Sequence, residues 1–133
     1  MKRIRNILAA ALAVVLLCCG CGNIRSVERV IDSPELYSKA EIKSAMRVVE
    51  GHFFRTFGGS TLLELRYDEE KTQKEMDRHE ERGEKTDVIM LTSSFYVEKS
   101  DGSLTPDMTY NGWSWELERT LLGTWKLKDA GYA

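Results

Sequence analysis

Past residue 21 the chain holds no cysteine: its three thiols, Cys18, Cys19 and Cys21, sit within four residues of one another near the N-terminus. The remainder can form no internal disulfide, offers no thiolate to a metal and has no cysteine nucleophile, so its stability must come from its core. Proline is as scarce. Two prolines and ten glycines in 133 residues exclude a low-complexity stalk. Histidine occurs twice, at His52 and His79. No Gly-rich phosphate loop is present, Ser93-Ser94 lacks the Gly-x-Ser-x-Gly frame of a hydrolase elbow, and no Asp-x-Asp-x-Asp-Gly calcium loop occurs. The longest apolar run, Ile7 to Leu17, is shorter than the roughly 20 residues a bilayer span needs.

What is present at that end is ordered. Lys2, Arg3 and Arg5 form a basic head, the apolar run follows, and Gly20 precedes Cys21. Basic, apolar and small-residue regions in this order make a secretory signal, cleaved after residue 20. With a cysteine at the cut site it resembles the lipobox of bacterial lipoproteins, in which that thiol receives a diacylglyceryl group. The box usually has Leu three residues before the modified cysteine. Here Cys18 fills that place, and Cys19 is the alternative acceptor. The resemblance implies an anchor on the extracytoplasmic face of the cell membrane, where two acyl chains hold a protein stably.

Cleavage would remove three basic residues and leave 16 Lys and Arg against 21 Asp and Glu, a net charge of −5 instead of −2. An acidic balance speaks against a nucleic-acid partner, which selects for basic patches. No cofactor signature is found, and no metal site is expected.

Residues 21–36 read as a tether, broken by Ser33 and Pro34, ahead of a domain over 37–133. Ser38 to Glu41 has the form of a capping box. Ile42, Met46, Val49, Phe53 and Phe57 then recur at helical spacing until Gly58-Gly59. Gly51 inside this helix suggests a close backbone approach. Ser60 to Tyr67 alternates as a strand with Leu63, Leu65 and Tyr67 on one face. From Asp68 to Arg82 the chain is charged, with Met76 its single apolar residue. This predicts a polar helix that buries little, a solvent-facing excursion with His79 solvated. Three further strands follow: Thr86–Glu98, apolar on both faces and therefore central or pocket-lining, then Tyr110–Arg119 and Thr124–Lys128. The fold class is α+β, a long N-terminal helix on a curved antiparallel sheet of about four strands.

Thr61 to Glu70, Ser94 to Val97, Asp101 to Leu104, Asn111 to Trp115 and Gly123 to Tyr132 carry a second resemblance. Over these segments the chain resembles a family of lipoproteins from Gram-positive gut bacteria with a cystatin-like or NTF2-like α+β cone. The resemblance implies a fold and a location, and lends no catalytic residues.

The candidates for chemistry are few. An NTF2-like enzyme, a small hydrolase or isomerase, would want His52 paired with a carboxylate, Asp68 or Asp107, as general base at the mouth of the cone. The acidic clusters Asp68-Glu69-Glu70 and Glu80-Glu81-Glu84 read as solvated faces. Tyr67, Tyr96, Tyr110 and Trp113 could form an aromatic pocket, although alternation with polar residues places Trp113, Trp115 and Trp125 in the core. The reading that follows is a binding module for a small ligand or an envelope protein. Its alternatives are the His52 enzyme and an accessory subunit of a membrane complex docking through the charged helix over 68–82.

Overall fold

The computed structural model describes residues 21–100 and 102–132. Residues 1–20, read above as a signal and including Cys19, lie outside the described residues. In chain order the elements are β1 (Glu28–Val30), α1 (Lys39–Thr56), β2 (Ser60–Tyr67), α2 (Glu69–Glu81), β3 (Val88–Val97), β4 (Met108–Arg119) and β5 (Trp125–Gly131). The strands form one sheet in the order β1-β2-β3-β4-β5. β2 to β5 pair antiparallel with one another, and β1 runs parallel to β2. The protein is therefore α+β, two helices packed on a five-stranded mixed sheet. None of the helices among the described residues is long and apolar enough to cross a membrane.

α1 forms where its periodicity predicts. The Ser38 hydroxyl accepts from Glu41 N–H at 3.2 Å and caps its first turn. Ile42, Ala45, Met46, Val49 and Phe53 then present one fully buried stripe. That stripe packs on the inward residues of the sheet, Leu62, Leu65, Ile89, Leu91, Phe95, Val97, Trp115 and Leu117. β3 is the middle strand, as its apolar residues on both faces require.

Three register shifts interrupt the ladders, the last where Glu116 pairs Asp129 and Leu117 pairs Leu127; the first two set which residues of β2 and β4 face inward. One lies between Leu62 and Glu64. A bulge inserts one residue and reverses the alternation. Leu62 and Leu65 are thereby buried together, while Leu63 is 42% exposed. The sequence pattern, with no bulge, placed Leu63 inside. The second lies where Ser93 pairs Trp113 and Phe95 pairs Tyr110, so Asn111-Gly112 carries the extra residue on β4. Gly112 takes φ +73° there, the left-handed region that favours glycine.

The stretch read as a tether is built into the fold. Gly22 N–H donates to Phe54 O at 2.9 Å, Asn23 N–H to Ser60 O at 2.8 Å, and Leu62 N–H to Asn23 O at 2.9 Å. A Cβ on Gly22 would lie 2.4 Å from Phe53 O, so only glycine permits this approach. Gly51 is different: a Cβ there would meet only the end of the Arg55 side chain, not backbone. Further along, Arg29 on β1 grips Glu50 of α1 through two hydrogen bonds, Nε–Oε1 at 3.0 Å and Nη2–Oε2 at 2.7 Å. Glu50 is 5% exposed, so removing its partner leaves a buried carboxylate. Because Arg29 itself is partly exposed, Arg29→Met should cost about 2 kcal/mol, below the 3–5 kcal/mol of a fully buried pair. The midpoint of urea unfolding reads this directly; a free tether would give no change.

α2 also departs from expectation. Asp68 caps it, accepting from Lys71 N–H at 2.9 Å, but the helix does not project into solvent. Thr72, Glu75 and His79 are buried, with His79 at 1% exposure. The Thr72 hydroxyl accepts from Met90 N–H at 3.0 Å, and Lys71 Nζ donates to Ser114 Oγ at 3.0 Å. Met90, Ser114 and Glu116 alternate with the core residues Leu91, Trp115 and Leu117, so α2 lies on the face of the sheet opposite α1.

Candidate functional site

At the C-terminal end of α1, the helix, the start of β2 and the loop leaving β3 enclose a cleft of about 310 Å³. Its apolar wall is Phe57, Val97, Leu104 and Trp113. Its polar residues are His52, Lys99, Thr56, Ser60, Ser100 and Ser103, the Thr56 hydroxyl donating to His52 O at 2.8 Å and the Ser100 hydroxyl accepting from Gly102 N–H at 3.1 Å. Among the described residues no carboxylate lines it.

The wall is rigid because it continues an aromatic core. Phe57 stacks on Phe53 with centroids 4.7 Å apart and stands edge-on to Trp113 at 6.3 Å and Phe95 at 5.3 Å. His52 stands edge-on to Trp115 at 5.9 Å. Tyr110 stacks on Phe95 at 5.3 Å and packs beside Trp113. Such edge and offset contacts fix ring orientation beyond simple burial. The Trp113 indole N–H is buried and has no hydrogen-bond partner. Partial burial and the nearby Arg55 guanidinium both push the His52 pKa below its ordinary value. At neutral pH His52 is therefore an uncharged imidazole with one donor and one acceptor.

The sequence candidates divide. His52 and Trp113 meet at this cleft. Tyr110 stands behind Trp113, its hydroxyl accepting from Thr105 N–H at 2.9 Å. Tyr67 is not on a rim: it is buried in the core cluster, and that burial pushes its phenol pKa well up. Tyr96 lies on the opposite face of β3 from Phe95 and Val97, and its hydroxyl donates to Asp107 Oδ1 at 2.9 Å. Asp107 is thus engaged with Tyr96, not His52. Asp68 caps α2 at the far end of β2 from Ser60, roughly 25 Å along the strand. Neither carboxylate is placed to pair with His52. Cys21 is half-buried where the chain enters the fold, beside Phe54 of the same helix end.

A second constellation escaped the sequence reading. His79 faces Glu75 Oε1 from Nε2 at 3.7 Å, Glu84 Oε2 from Nδ1 at 3.7 Å and Glu118 Oε1 from Nε2 at 4.0 Å. Ligand atoms of Glu75, His79 and Glu116 lie within 4.8 Å of one another. Burial and the neighbouring Glu75 carboxylate push the Glu116 pKa up, while Lys128 opposes the rise. The 3–4 residue spacing of Thr72, Glu75 and His79 was the available signal, but a stripe of polar residues does not read as a buried one. The clusters noted in sequence are differently employed: Glu69 Oε1 accepts from Leu36 N–H at 2.9 Å, and Glu70 pairs with Lys74 at 3.2 Å.

Comparison with known proteins supplies no relative: no family model matches the chain, and neither a curated protein nor a solved structure matches it.

Proposed function

We propose that this chain is a lipid-anchored extracytoplasmic binding module. Its anchor is Cys21, and its cleft takes a small ligand with an apolar body and hydrogen-bond acceptors. The observation that carries the reading is the buried, unpartnered N–H of Trp113 in the wall of an aromatic cleft. A buried donor without an acceptor is costly, and a ligand oxygen admitted by a small movement of the ring would remove that cost. Lys99, neutral His52 and four hydroxyl-bearing residues surround the same space and favour an acceptor-rich or weakly anionic ligand. A mostly apolar cleft with a few convergent polar groups is the usual form of a small-molecule site. The cystatin-like or NTF2-like cone belongs to this proposal. Support for it comes from the helix laid across a bulged sheet, with the cleft at the end of that helix.

The test is a thermal-shift screen of the full chain in detergent against aromatic carboxylates, acetylated sugars and short peptides. A ligand at 100 times its Kd adds about 2.7 kcal/mol of stability, or several degrees in Tm at this size. Trp113→Phe keeps a ring in the wall and removes the N–H. It should weaken a hit by about 10-fold, the value of one hydrogen bond with its desolvation. An unchanged affinity in Trp113→Phe would move the ligand away from this cleft, and a flat screen would turn the search to envelope protein partners.

A further inference from the structure

The Glu75, His79 and Glu116 constellation lies on the other face of the sheet from the ligand cleft and needs its own account. Glu75 and His79 are four residues apart on α2 and share the face that packs on the sheet. Glu116 rises from β4 to meet them. His79 is 1% exposed, yet neither ring nitrogen has a hydrogen-bond partner. An imidazole this deeply buried ordinarily has at least one partner. Here both nitrogens are turned toward carboxylates at 3.7–4.0 Å, too far to bond directly.

We propose that Glu75, His79 and Glu116 bind a divalent transition-metal ion of the zinc type. Zinc holds nitrogen and oxygen ligands at about 2.0–2.2 Å, which sets tetrahedral ligand atoms about 3.4 Å apart. The 3.7 Å from His79 Nε2 to Glu75 Oε1 is within a few tenths of that spacing. All three ligand atoms fall within 4.8 Å, so a modest inward movement of Glu116 closes the set. The imidazole chooses the metal class, because calcium and magnesium take oxygen ligands. His79 Nδ1 lies 3.7 Å from Glu84 Oε2, so a small closing movement would give the carboxylate–histidine pairing that orients a ligating imidazole.

The surrounding charges are consistent with an added cation. Glu75, Glu84, Glu116 and Glu118 face His79 or one another, against Arg78, Arg82 and Lys128. Glu116 is the member whose carboxylate is disfavoured by burial and by Glu75, and a cation between the two relieves both effects. A cleft of about 190 Å³, lined by Glu75, Arg78, Ser114, Glu116, Asp129 and Tyr132 among others, reaches the two carboxylates from solvent, with His79 buried behind them.

The experiment is calorimetric titration of Zn²⁺ into the full chain in detergent, stripped with chelator and with its cysteines alkylated so that thiols cannot contribute. Cobalt titration, read by visible absorption, reports the ligand geometry. One equivalent should bind at micromolar affinity or tighter and raise Tm. His79→Gln should abolish binding. Because His79 is buried, its loss could also unfold the chain, so Glu116→Gln decides. That variant removes a repelled carboxylate, and its metal-free Tm should hold or rise. Its zinc affinity should nevertheless fall by more than the roughly 10–100-fold that loss of an outer partner costs. Absence of zinc binding by the folded chain, or unchanged affinity in Glu116→Gln, would overturn the proposal and leave a salt-bridge network only.

Discussion

Trp115→Ala is expected to remove about 3–5 kcal/mol of stability, the upper range for deleting a large buried side chain. Against the 5–15 kcal/mol that holds an ordinary domain together, this is a large share of the total. Trp115 is fully buried at the middle of β4, paired across to Leu91. Its ring packs against Phe57 at 5.7 Å and His52 at 5.9 Å. Its indole N–H donates to Ser93 Oγ at 2.7 Å, a buried side-chain bond inside the sheet. Truncation therefore opens a cavity beneath α1 and strips Ser93 of a partner at once. Trp115→Phe shifts the balance between the two effects, since it keeps an aromatic ring with a smaller cavity and loses the donor; about 1–2 kcal/mol is expected from the lost donor. Urea midpoints for both variants and for Ser93→Ala complete the comparison. Equal midpoints for wild type and Trp115→Ala would mean that the core does not lie where it is described.

The elements that could be read in the sequence were those whose burial is apolar and periodic. α1 has five buried apolar residues at helical spacing, a serine cap and a glycine pair behind it, and its ends fall where those signals put them. β3 displays its central place through apolar residues on both faces. The failures have other causes. Leu63 alternates correctly in the sequence and is exposed only because the bulge shifts the phase of β2. β1 is three residues long, Glu28-Arg29-Val30, and is held by backbone pairing and by Arg29–Glu50. Neither force leaves a hydrophobic pattern. α2 turns Thr72, Glu75 and His79 onto the sheet, and because these buried residues are polar, hydropathy reads the helix as solvated. The same blindness hid the Glu75, His79 and Glu116 constellation: Glu116 stands 37 residues after His79 in the chain, and only the crossing of α2 over β4 brings them together. At the cleft, His52 and Trp113 were legible as residue types, and Asp68 was legible as the cap of α2, but the tyrosine that occupies Asp107 was not.

Cys21→Ser should release the chain from the membrane fraction, while Cys19→Ser should leave it there. The signal pattern puts Gly20 directly before Cys21, and lipidation of that thiol is the only anchor the proposal contains. The docking of residues 22–23 makes the consequence sharper than loss of a tether. Gly22 is bonded to Phe54 O, and Cys21 lies beside Phe54, which is 44% exposed. A diacylated Cys21 would therefore hold the C-terminal end of α1 against the bilayer surface with no slack chain between. His52, Thr56 and Phe57 belong to that same end of the helix, so the ligand cleft would open close to the lipid headgroups. The Leu121-Leu122 hairpin, next to Arg119 and its partner Glu41 in the first turn of α1, would stand at the opposite end. Fractionation of cells followed by detergent partition reads the anchor. Protection of Phe54 and His52 from surface labelling, compared between wild type and Cys21→Ser, reads the orientation. Retention of Cys21→Ser in the membrane fraction would transfer the anchor to Cys19 or remove it. Equal labelling in the two proteins would separate the cleft from the membrane and make its ligand a freely diffusing one.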